Sequence, residues 1–184
     1  GKLGGAVDFG TTPLLGGGNW IKVDASTGWL EPASDANAMS VSLWQKLYYR
    51  SNSSTFGFGV ERTPPGRRNF RALIPWGSGE LSFDTGGCCG SEDTRIGGDS
   101  DIDYLEWHHF VFVKDEDNKS IWIDGELFQD GENTTALFDD WTTLGIGSNA
   151  LGWNNVAGIV DDFGVWSRAL TEAEIQHLAE GNAI

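Results

Sequence analysis

Residues Trp107-His108-His109-Phe110-Val111-Phe112-Val113-Lys114 precede Ser120-Ile121-Trp122-Ile123-Asp124-Gly125-Glu126-Leu127-Phe128-Gln129. Asp124-Gly125 between two apolar-rich segments is a two-residue hairpin signal, because Asp and Gly tolerate the positive φ of a type I′ turn. Working outward, short apolar–polar alternations separated by turn residues recur along nearly the whole chain. They predict strands near Ala6–Phe9, Trp20–Val23, Ser40–Tyr48, Thr55–Glu61, Asn69–Ile74, Glu80–Asp84, Trp107–Lys114, Ser120–Asp124, Glu126–Gln129, Thr143–Gly147 and Gly158–Trp166. Many strands with few helices mean an all-β chain, a β-sandwich or jelly roll.

One helix is expected. Thr171-Glu172-Ala173-Glu174 has capping-box spacing, Ile175 and Leu178 form a short apolar stripe, and Gly181 ends it. A helix this short needs a sheet to lie on. No internal repeat, linker or low-complexity segment marks a boundary, so residues 1–184 read as a single domain.

A chain of 184 residues buries roughly 70% of the surface its unfolded form exposes, enough for one complete core. Nine Trp, ten Phe and three Tyr exclude disorder, and the 26 Gly, without a G-X-Y period, point to turns. No apolar run approaches the ~20 residues that span a bilayer, so membrane insertion is not expected. Nothing at Gly1 reads as a signal peptide, and the missing initiator Met points to a processed chain or a module of something longer.

The formal charge of −15 would repel phosphate backbones and excludes a nucleic-acid partner. It is uneven: residues 1–100 carry nine basic and ten acidic groups, net −1, and residues 101–184 carry three and 17, net −14. Most of these carboxylates read as a solvated surface, with one or two as Ca²⁺ ligands.

From Trp107 onward the sequence resembles the laminin G-like branch of the concanavalin A-like lectin/glucanase superfamily. The residues that carry this are Trp107–Val113, Ile121-Trp122-Ile123-Asp124-Gly125, Leu144-Gly145-Ile146-Gly147 and the string Gly158-Ile159-Val160-Asp161-Asp162-Phe163-Gly164-Val165-Trp166-Ser167-Arg168-Ala169-Leu170-Thr171-Glu172-Ala173-Glu174-Ile175. That last string is similar to the family's closing motif. Ala6-Val7-Asp8-Phe9-Gly10 resembles its opening strand, with Gly10 where Asp is usual, and Ser42-Leu43-Trp44 resembles its "S-x-W" strand. The resemblance implies two bent antiparallel sheets and rim loops that often bind glycans, in modules attached to secreted or cell-surface proteins. It implies no single function, since the scaffold also hosts hydrolases, lyases and adhesion modules.

It also implies a structural Ca²⁺ on Asp161 and backbone carbonyls near the opening strand, with Asp8 or Asp162 adding a ligand. Concanavalin A-like glycosidases carry an E-x-D-x-x-E strand, and Asp101-Ile102-Asp103-Tyr104-Leu105-Glu106 approximates it with a shorter first carboxylate. Those three residues serve a retaining glycosidase only if a bulge resets the alternation before Glu106. An acidic loop is the competing interpretation and the preferred one. Asp99, Asp101 and Asp103 alternate as an EF-hand loop begins, but Tyr104 and Phe110 stand where Gly and Glu are required.

Cys88 and Cys89 are adjacent and flanked by Gly86, Gly87 and Gly90, which favours a strained vicinal disulfide over two free thiols. Arg62, Arg67, Arg68 and Arg71 surround Pro64-Pro65-Gly66, either as a solubilising loop or as a clamp for uronate or sulfate groups. Trp76 precedes Gly77-Ser78-Gly79 at an expected hairpin tip, and Trp153 precedes Asn154-Asn155 in a turn-like context. Exposed indoles beside polar groups make a glycan platform. Trp76 and the Arg–Cys group stand at opposite ends of one hairpin, about 17 Å apart. The end with Arg67, Arg68, Arg71, Cys88 and Cys89 is preferred here as the binding rim. The functional expectation is a non-catalytic module that binds a polysaccharide. The alternatives are a polysaccharide-cleaving enzyme using Asp101, Asp103 and Glu106, and a protein-binding adhesion module.

Overall fold

The computed structural model describes residues 4–11, 18–59, 69–77, 79–86 and 94–184. Its strands are β1 (Val7–Asp8), β2 (Ile21–Asp24), β3 (Ala38–Leu47), β4 (Ser54–Gly59), β5 (Asn69–Trp76), β6 (Glu80–Thr85), β7 (Arg95–Asp99), β8 (His108–Asp115), β9 (Asn118–Ile123), β10 (Glu126–Glu132), β11 (Thr143–Ile146) and β12 (Gly158–Trp166). Two helices, α1 (Glu31–Ala36) and α2 (Glu172–Ala179), complete them. The strands form two six-stranded sheets, ordered β1-β12-β3-β8-β9-β10 and β2-β11-β4-β5-β6-β7. Every pairing is antiparallel, as expected of a jelly-roll sandwich.

Alternation along each strand decides what lies between the sheets. Met39, Val41 and Leu43 of β3 and Phe110 and Phe112 of β8 face Phe56, Phe58, Phe70 and Phe83 of the opposite sheet. Phe56 is the hub, with ring centroids 5.4 Å from Phe112, 5.9 Å from Phe163 and 6.1 Å from both Phe58 and Phe70. Tilted and edge-on contacts of this kind satisfy the ring quadrupoles while filling the core.

The outer faces differ. On the first sheet, Val111, Val113, Leu170 and Ile175 form a second apolar cluster, so α2 covers that face. Its capping box is complete: Thr171 Oγ1 accepts from the Glu174 amide at 3.3 Å, and the Glu174 carboxylate accepts from the Thr171 amide at 2.9 Å. The Arg168 guanidinium, bound to Glu174 at 2.6 and 2.8 Å, is the main reason the Glu174 carboxyl is held down to about 2. Thr171→Ala should cost about 1 kcal/mol, a Tm decrease of about 2–4 °C by scanning calorimetry.

On the second sheet, one row of register partners crosses the whole outer face: Lys22, Gly145, Gly57, Arg71, Asp84 and Arg95. Two of these positions are bare because a loop lies on them. A Cβ at Gly145 would stand 2.4 Å from the Asn149 carbonyl oxygen, and one at Gly57 would stand 3.0 Å from the Ala150 amide nitrogen.

Two elements lie beyond the expected set. β7 contains Gly97 and Gly98, which interrupt its alternation, and it is an edge strand held on one side only. The six-residue α1 lacks a side-chain cap, starts around Pro32, buries only Ala33 and stops at Asn37 in the left-handed region.

Candidate functional site

β5 turns into β6 at the same end of the sandwich where β3 leads to β4 and β11 leads to β12. Segment 48–53, the Trp76 turn, segment 100–107 and segment 147–157 meet there. Two successive amides tie two of them together: Ser53 N donates to Pro75 O at 3.2 Å, and Ser54 N donates to Asn154 O at 2.7 Å. Successive amides of an extended chain point to opposite sides, so Trp76 and Trp153 flank this segment with backbones about 10 Å apart. Gly77 N donates to Asn52 Oδ1 at 2.7 Å, which fixes the Trp76 turn further. Asn149 Oδ1 accepts from the amides of Leu151 and Trp153 at 2.9 and 3.0 Å, closing the turn that presents Trp153. Trp153 is 50% exposed, and Tyr48 and Tyr49 are 38% and 39% exposed.

The acidic segment packs into this end through Tyr104. Its hydroxyl donates to Gly79 O at 3.0 Å, its carbonyl accepts from the Leu47 amide, and Arg50 lies 5.5 Å over its ring. Burial of the ring pushes the Tyr104 phenol pKa up. Asp103 Oδ1 accepts from the Leu105 amide, its carbonyl accepts from the Glu106 amide, and Glu106 lies 3.5 Å from Lys46 with most of its side chain exposed. Asp101, Asp103 and Glu106 therefore stand in a turn between β7 and β8 instead of on a strand. The bulged strand that a glycosidase reading requires is not formed by them.

Asp8 spends both carboxylate oxygens locally, accepting from Tyr48 OH at 2.7 Å and from the Gly10 amide at 2.8 Å. The Tyr48 hydroxyl, and then the Gly10 amide, hold the Asp8 carboxyl below its usual range, and the same bond raises the Tyr48 phenol. Asp161, 5% exposed, is the register partner of Trp44, and Asp162 sits in the left-handed region at φ 48° in the bulge that follows. Among the described residues, no three His, Cys, Asp or Glu gather to hold a metal. The expected calcium set, Asp161 with backbone carbonyls near the opening strand and Asp8 or Asp162, would draw on two adjoining strands, because β1 pairs with β12.

Arg67, Arg68, Cys88 and Cys89 lie outside the described residues. Arg71 does not point free into a rim: its Nε donates to Asp84 at 2.8 Å, and its side chain is 11% exposed. Trp141 is a core residue, 4% exposed, whose Nε1 donates to Ser34 Oγ at 2.8 Å. Sequence reasoning passed over Tyr48, Tyr49, Arg50 and Tyr104. Their signal was the unbroken Tyr48-Tyr49-Arg50 run just where alternation stops.

The family model described as the concanavalin A-like lectin/glucanases superfamily matches residues 15–176. Among curated proteins, none matches the sequence. Among solved structures, the CBM40 of the Ruminococcus gnavus IT-sialidase bound to α2,3-sialyllactose is similar at a TM-score of 0.69 and 12% identity, covering 95% of this chain and 96% of that one. Domain 4 of AbnA, a GH43 extracellular arabinanase from Geobacillus stearothermophilus, in complex with arabinotriose, is similar at a TM-score of 0.62 and 23% identity, covering 78% of this chain and 66% of that one. The NanB sialidase of Streptococcus pneumoniae is similar at a TM-score of 0.71 and 15% identity, covering 94% of this chain and only 27% of that one. At these identities the likeness is one of fold.

Proposed function

The chain belongs to the concanavalin A-like lectin/glucanase superfamily, and on that premise we propose that it is a non-catalytic module binding a polysaccharide at the end that carries Trp76 and Trp153. One observation carries this: the two tryptophan loops are pinned to neighbouring amides of one extended segment, Ser53-Ser54. Pinned loops lose little freedom on binding, the indole faces suit the C–H faces of sugars, and the Asn52 side chain is bonded beside the Trp76 turn. Support also comes from the fold neighbours, two of which hold sialyllactose and arabinotriose. Asp101, Asp103 and Glu106 crowd the same end, so an uncharged glycan meets less repulsion there than a uronate would. The setting we propose is a module of a larger secreted or surface protein.

The test is a polysaccharide array read both for bound protein and for new reducing ends. Binding without new ends is expected, and new ends would install the hydrolase in its place. Trp153→Ala, which removes a half-exposed ring, should weaken the captured glycan at least about tenfold, and Trp76→Ala should do the same. Both variants should keep the wild-type Tm within a few degrees. Unchanged affinity in both would move the site away from this end.

A further inference from the structure

A cavity of about 230 Å³ opens on the outer face of the other sheet, beside α2. Ser42 and Gly164, register partners on β3 and β12, lie at its base. A Cβ at Gly164 would stand 2.4 Å from the Trp166 ring, so that indole lies across a bare strand position. Trp44 and His109, partners on β3 and β8 with rings 5.2 Å apart, line the cavity too. Leu178 and residues 181–184 border it from the helix side.

The polar part is a buried pair. Ser42 Oγ and His109 Nε2 are 2.8 Å apart, and the two residues are 2% and 1% exposed. The other ring nitrogen of His109, Nδ1, is buried with no hydrogen-bond partner. A buried ring nitrogen left unsatisfied is costly, and the residue that carries it lines this cavity.

We propose that this cavity binds one uncharged sugar ring, with Trp44 and Trp166 against its C–H faces and the Ser42–His109 pair bonded to its hydroxyls. Two indoles with a few convergent polar groups are the chemistry such a ring requires. Burial keeps the imidazole neutral at neutral pH, and Asp162 also lines the cavity, so an anionic sugar is disfavoured. This site lies on the opposite sheet from the Trp153 loop and stands or falls independently of it.

The experiment is a set of ¹H–¹⁵N spectra of the whole chain titrated with glucose, galactose, mannose, N-acetylglucosamine, arabinose and xylose. At least one sugar should shift the indole signals of Trp44 and Trp166 and the Ser42 amide saturably, with a millimolar Kd. Ser42→Ala should weaken that binding about tenfold, while Trp76→Ala and Trp153→Ala leave it unchanged. No saturable shift at Trp44 and Trp166 with any of the six overturns the proposal, as does undiminished binding in Ser42→Ala. Shifts confined to Trp76 and Trp153 overturn it too and leave the end-loop function standing. If Ser42→Ala does not fold, the wild-type shift map decides alone.

Discussion

Asp84→Ala should be among the most damaging single substitutions in the described chain, costing about 3–5 kcal/mol. Asp84 is 0% exposed on the outer face of the second sheet, and two register neighbours close on it from either side. Arg95 Nε and Nη2 donate to it at 2.6 and 2.9 Å, and Arg71 Nε donates at 2.8 Å. The two arginine side chains are only 25% and 11% exposed, so solvent cannot replace the lost carboxylate. The Arg95 guanidinium would lose both its bonds to this carboxylate and Arg71 would lose one of its partners, and the loss comes from their desolvation more than from the pair's own strength. At about 2–4 °C per kcal/mol for a chain of this size, Tm should drop by roughly 10 °C or more. Arg168→Ala is the control: its pair with Glu174 is 51% and 29% exposed, so its loss should shift Tm far less than the loss at Asp84. A loss at Asp84 no larger than at Arg168 would show that Arg71 and Arg95 find water or other partners.

Acid should weaken the fold through His109 before most carboxylates titrate. Burial lowers this imidazole from 6.5 to about 4, against the opposing pull of Asp124. Between those values the unfolded chain binds a proton that the folded chain refuses. Stability from this group is therefore complete above about pH 6.5 and is lost as pH falls toward about 4. The difference amounts to roughly 3 kcal/mol. Urea unfolding followed from about pH 7 to about pH 4 should show this slope in the wild type and lose that component in His109→Gln. Parallel pH dependence of the two proteins would mean that His109 is protonated in the folded state without penalty.

The eleven strands foreseen from alternation all form, because alternation is the direct imprint of a sheet with one buried face. β7 escaped because its register is supplied by β6 and not by its own side chains: Arg95-Ile96-Gly97-Gly98-Asp99 offers one apolar residue in five. α1 escaped because six residues carry too little periodicity to read. The capping box of α2 was legible because both its partners lie within four residues of each other. The candidate site was only half legible. Trp76 and Trp153 could be marked as exposed indoles, but they are 77 positions apart in sequence. What unites them is a pair of backbone bonds at Ser53 and Ser54, which no side-chain pattern records. Arg71 was legible only in part for the complementary reason: its cluster with Arg67 and Arg68 is local in sequence, whereas its partner Asp84 lies across a hairpin.

Trp153 rides on a loop whose height above the sheet is set by two residues with nothing to show, Gly57 and Gly145. Position and chemistry are thereby assigned to separate parts of the chain. Apart from Asn149, whose side chain closes the turn, the loop's side chains are not what seats it, since the seat is the bare backbone beneath. Conversely, a single methyl group added under the loop would displace the indole from behind, at a position on the far side of the loop. Surveys of contact residues would overlook both glycines, although they govern how far the indole reaches.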